Sequence, residues 1–80
     1  MKLYLFEENI RGIEPYYVFA ETKRLPREAE QPDEYGDFSR YLGCAESESD
    51  VESILYENDY SSEYAMFFMR DLAHQFGHVW

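Results

Sequence analysis

Cys44 is the only cysteine in this 80-residue chain, so no intramolecular disulfide can staple the fold. A small domain without that staple must close on apolar contacts alone. A chain of this length buries only about 60–65% of the surface its unfolded form exposes. The aromatic content meets that constraint: the sequence holds eight Tyr, six Phe and one Trp. Each such ring can bury roughly 150–250 Å². The chain is therefore expected to fold as one domain over residues 1–80 and not to remain disordered. A fold independent of oxidation suits a reducing compartment, so the expected location is cytoplasmic. The opening Met1-Lys2-Leu3-Tyr4-Leu5-Phe6-Glu7-Glu8 is apolar over too short a run for a signal segment or a membrane span.

Hydrophobic patterning predicts an α+β fold. Lys2 to Glu7 reads as a strand with Leu3 and Leu5 on one side and Tyr4 and Phe6 on the other. After a turn containing Gly12, Tyr16 to Glu21 is aromatic and β-branched and reads as the antiparallel return strand. Pro26 is placed to open a short helix, and 31–37 is loop chemistry. Arg40 to Ala45 reads as a third strand, weakened by Gly43. Ser49-Asp50-Val51-Glu52 matches the S-x-x-E capping box and predicts a helix from about Asp50 to Asn58. Ser61 or Ser62 can cap a second helix running to Phe76, with Gly77 as its stop. Its apolar face is Tyr64, Ala65, Phe68, Met69, Leu72 and Phe76. The apolar run Ala65 to Met69 leaves a strand there as the alternative. His78-Val79-Trp80 is a tail. The expected architecture is a three-stranded antiparallel sheet covered by two main helices.

The charge is unevenly placed. The chain carries −10 at neutral pH. Glu28, Glu30, Asp33, Glu34, Asp37, Glu46, Glu48, Asp50, Glu52, Glu57, Asp59 and Glu63 are opposed over their span by Arg40 alone, a net −11. The other 44 residues hold five acids and six bases. Such a field repels nucleic acid and anionic membranes and attracts basic surfaces. A solvated face is the plain explanation, but such faces usually mix Lys with Glu, and no Lys follows Lys23. Tyr35, Tyr41, Tyr56, Tyr60 and Tyr64 are interleaved with the acids. Tyrosine supplies contact area at low entropic cost and is enriched at interfaces. Some of the five must be core, Tyr64 first among them. Tyr35, Tyr56 and Tyr60 join the acids as the expected partner-binding residues.

The sequence carries no recognisable catalytic motif. There is no P-loop, dinucleotide fingerprint, nucleophile elbow or C-x-x-C pair, and no segment fits a calcium loop. Cys44 in a strand reads as a small buried hydrophobe. With 17 acids in the chain, close carboxylate pairs arise by chance. His74 and His78, with Asp71, could be imagined as zinc ligands, but Gly77 ends the helix between the histidines. The expectation is a protein that is not an enzyme, with no cofactor and no metal.

Geometry allows a stronger version of the charge argument. A domain of this length has a radius of gyration of about 12 Å and a diameter of roughly 30 Å. Duplex DNA presents roughly 18 phosphates over that distance. Twelve carboxylates on one side would come within about a factor of two of that density.

In length, in the Glu28 to Glu63 acidic segment, and in Glu46-Ser47-Glu48-Ser49-Asp50-Val51-Glu52 followed by Glu57-Asn58-Asp59-Tyr60-Ser61-Ser62-Glu63-Tyr64, the chain resembles phage-encoded anti-CRISPR proteins. These are short, acidic, single-domain proteins without enzymatic motifs, and several are DNA mimics in charge. No residue motif defines the group, so no residue role is carried over by position. The resemblance implies an inhibitor, in the cytoplasm of a host cell, that binds a basic nucleic-acid-binding surface of a CRISPR effector. The multisubunit Cascade complexes of type I systems are the expected target, and target DNA binding is the step blocked. The same composition would serve the alternative, an immunity protein or antitoxin that neutralises a basic toxin.

Overall fold

A computed structural model describes residues 1–9, 17–24 and 38–77. The elements run β1 (Leu3–Asn9), β2 (Tyr17–Glu21), β3 (Phe38–Ala45), α1 (Glu48–Glu57) and α2 (Ser62–Phe76). The strands form one antiparallel sheet in the order β2-β1-β3. This is the α+β arrangement expected, a three-stranded antiparallel sheet with two helices. The helix proposed at Pro26, the loop 31–37 and the 78–80 tail lie outside the described residues.

Strand alternation sorts β1 into two faces. Leu3 and Leu5 are fully buried on the helix side, where they meet Val18, Ala20, Ala45, Val51, Leu55, Ala65, Phe68 and Leu72. Phe6, also fully buried, belongs to the opposite side. There its ring lies 5.4 Å from Phe19 and 5.4 Å from Tyr41. Both faces of the central strand are therefore covered by side chains, as a thin domain requires.

β3 starts at Phe38, two residues before the strand expected at Arg40, because it pairs with β1 out to Asn9. Leu5 pairs with Gly43 and Phe6 with Tyr41, so Leu42 is an extra residue, a β-bulge. Gly43 does more than weaken the strand. A Cβ there would lie 3.1 Å from Ile54 Cδ1, so its absence lets α1 approach the sheet closely.

α1 begins earlier than the capping box at Ser49 predicts. Ser47 is the N-cap, and its Oγ accepts from the Asp50 backbone N at 3.2 Å. Asp50 Oδ2 in turn accepts from Glu46 N at 2.9 Å. The two overlapping Ser-x-x-acid frames compete, and the earlier one gains this second bond. α2 follows expectation: Ser61 caps it, Gly77 ends it at φ 71°, and Ala65, Phe68 and Leu72 are buried. The alternative strand at Ala65 to Met69 is helix.

In the turn between the helices Asp59 is left-handed, with φ 67°. Its N–H donates to Tyr56 O at 3.1 Å, and Tyr60 N donates to Leu55 O at 3.0 Å. That is a Schellman stop with Asp59 at the position where Gly is favoured and Asp or Asn tolerated. Asp59→Gly should therefore raise the melting midpoint, by up to about 1 kcal/mol of stability, and Asp59→Lys should lower it. A lower midpoint for the glycine variant would show that the carboxylate, not the backbone, holds the turn.

Candidate functional site

The outward side of α1 is built by helical spacing. Val51 and Leu55 are buried and Ile54 is half-buried, which turns Glu48, Glu52 and Tyr56 to solvent in one row and Ser49, Ser53 and Glu57 in the next. Asp59 in the following turn and Glu63 in the first turn of α2 are exposed as well. From Glu48 to Glu63 there are six acids and no base. Glu48 and Glu52 stand one turn apart, about 6 Å along the axis. A single DNA strand carries a phosphate per about 3.4 Å, so this row has roughly half its linear charge density.

The expected site residues fall into distinct positions. Glu28, Glu30, Asp33, Glu34, Tyr35 and Asp37 lie outside the described residues. Glu48, Glu52, Tyr56 and Glu57 share the exposed side of α1, and Asp59 and Glu63 are exposed beyond its end. Glu46 is exposed but stands 3.8 Å from Lys2 Nζ, and Asp50 is half-buried in the helix cap. Tyr56 points out, 49% exposed. Tyr60 points in: it packs against the core and its hydroxyl donates to Glu7 Oε2.

Glu7 is the hub of a polar cluster under this turn. Its Oε1 accepts from Arg40 Nε and Nη2, each at 3.3 Å. Arg40 Nη2 also donates to Asn58 Oδ1 at 3.2 Å, and Asn58 Nδ2 donates to Ile54 O at 2.7 Å. Arg40, the sole base of the acidic segment, is thus committed to tying β1, β3 and the end of α1 together. Beside it the rings of Tyr60 and Tyr64 lie 4.6 Å apart. The Tyr64 hydroxyl accepts from Val18 N at 2.8 Å, which fits its expected place in the core. Of the interleaved tyrosines, then, Tyr60 and Tyr64 serve the fold and Tyr56 serves the surface.

Burial raises the pKa of Tyr60, and the Glu7 carboxylate that it bonds raises it further. Burial also raises that of Tyr64. A raised folded-state value means the folded chain keeps a proton that the unfolded chain releases. The associated stability is complete below about pH 10, the unfolded value, and is lost as pH climbs through the folded one. Denaturant melts above pH 10 should show falling stability, and Tyr60→Phe should make the fall shallower. An unchanged slope in that variant would place the titration elsewhere.

Sequence reasoning missed one feature. Met66 and Phe67 are 67% and 68% exposed. Five consecutive apolar residues, Ala65 to Met69, cover more than a full turn, so on a helix some must face out; that was the available signal. His74 and Asp71 are exposed on α2, and His78 is outside the described residues. Among the described residues no three His, Cys, Asp or Glu side chains converge as metal ligands. No helix among them is long and apolar enough to cross a membrane.

Comparison with protein-family models, with curated proteins and with solved structures gives no match.

Proposed function

We propose that this chain is a non-enzymatic inhibitor that binds the Lys/Arg-lined nucleic-acid channel of a CRISPR effector complex, of the type I Cascade class, and excludes target DNA. The observation that supports this reading is the run of exposed acids Glu48, Glu52, Glu57, Asp59 and Glu63 on α1, the following turn and the start of α2, a stretch of sequence that holds no base. Two acids one turn apart on a rigid helix form a fixed row of charge. Fixed charge of this kind steers a basic partner into register and speeds association. Tyr56, exposed within the same row, adds a flat amphipathic contact at low entropic cost.

Gel-shift competition tests the proposal. Adding the chain to a purified Cascade-type complex and labelled target duplex should abolish the shifted band. Unchanged DNA binding at saturating chain would remove the proposal. The exposed Met66 and Phe67 favour a second reading, because an apolar patch suits a folded protein surface better than a channel shaped for phosphates. In that reading the chain is an immunity protein or antitoxin. Co-purification separates the two: one small basic protein at equal stoichiometry would favour the toxin partner.

A further inference from the structure

Phe67 stands as a ridge between two depressions on the outer side of α2. One is lined by Glu63, Met66, Phe67 and Arg70. The other, about 220 Å³, lies between α2 and the outer edge of β2 and is lined by Tyr17, Val18, Tyr64, Phe67, Phe68 and Asp71. Its walls are four aromatic rings and a valine, and its one carboxylate is the exposed Asp71. Tyr64 is held in place by the bond from Val18 N to its hydroxyl, so the cleft is braced from both elements.

We infer that this cleft receives a lysine or arginine side chain of a basic protein partner, with the aliphatic stem on the rings and the cationic head at Asp71. The inference rests on the proposed function in taking the partner to be basic, and adds a specific anchor outside the α1 surface. Long cationic side chains lay their stems along apolar walls and keep the head near water. Aromatic faces attract the head, more strongly when it is partly desolvated. The chain itself shows the pairing on the far side of the ridge, where the Arg70 guanidinium carbon lies 5.9 Å from the Phe67 ring centroid. A second copy is a poor occupant. Each copy carries −10, so two copies repel as they approach, and a basic partner gains from the same field.

Hexa-lysine and hexa-arginine peptides are suitable probes, with hexa-glutamate as the control. Amide NMR titration of the full chain at about 0.3 M salt, where the Debye length is below about 8 Å, suppresses loose association. The expected result is saturable shifts at Val18, Phe67 and Asp71. Affinity should fall about tenfold in Phe67→Ser and at least about threefold in Asp71→Asn. Phe67 is 68% exposed, so its serine variant should keep the fold, which the same spectra report. Shifts confined to α1, or full affinity in Phe67→Ser, would overturn the inference while leaving the gel-shift result to decide the proposed function. A dimer in sedimentation that Phe67→Ser dissociates would also overturn it, by giving the cleft to a second copy. Peptide seated in the cleft with no gel-shift competition would keep the anchor and remove the CRISPR target.

Discussion

Phe6→Ala is expected to cost about 3–5 kcal/mol, the range for emptying a fully packed aromatic site. Phe6 is fully buried, and its ring is flanked by Phe19 and Tyr41 on the neighbouring strands. It is not part of the helix-side cluster, so no neighbour in that cluster can move in to fill the gap. An 80-residue domain has a total stability of only about 4–12 kcal/mol. The midpoint should therefore drop by at least about 12 °C, and the variant should be partly unfolded at ambient temperature if the native chain lies at the low end of that range. Phe67→Ala, at a residue 68% exposed, should stay within about 0.5 kcal/mol of the native chain. Thermal melts of the two variants make the comparison. A loss below about 1 kcal/mol at Phe6 would mean that the second face of the sheet is loosely packed and that the helix side carries the fold alone.

The contrast between these two phenylalanines shows where sequence reasoning was strong. Alternation in β1 assigned Leu3 and Leu5 to one side and Phe6 to the other, because a strand places successive side chains on opposite faces. The face of α2 was legible for the same kind of reason, since Ala65, Phe68 and Leu72 recur at helical spacing. The start of α1 was less legible. Ser47 and Ser49 each precede an acid by three residues, and the template favoured Glu52 over Asp50. The bonds that separate the two frames, from Asp50 N to Ser47 Oγ and from Glu46 N to Asp50 Oδ2, depend on geometry. The Schellman stop at Asp59 was hidden behind its charge. The fates of Tyr56 and Tyr60 could not be read either, because they lie on either side of a turn whose direction decides which one meets Glu7. For the candidate site, the alignment of Glu48 with Glu52, and of Glu57 in the neighbouring row, follows from helical spacing once α1 is placed. The acids from Glu28 to Asp37 remain an expectation from sequence.

The charge on α1 should affect folding and binding with opposite signs. Glu52 lies beyond the first turn of α1, where little stabilisation from the helix dipole remains. It also repels Glu48 one turn earlier. A lysine there would attract Glu48, worth about 0.2–0.5 kcal/mol. Glu57 is the last residue of α1, whose final turn holds no base. A positive charge at that end suits the dipole. Glu52→Lys with Glu57→Lys should therefore leave the melting midpoint unchanged or slightly raised. Asp59 is left native in this design, because its left-handed backbone ties it to the turn.

The most direct test of the charge-mimicry account is gel-shift competition by this double variant beside the native chain. If the acids mimic DNA charge, the concentration needed to displace target DNA from the effector complex rises at least about tenfold, a loss of about 1.4 kcal/mol, while the melting curve holds or improves. Full competition by a variant that is equally stable would contradict that mimicry, and would show that the acids of α1 only keep the chain soluble.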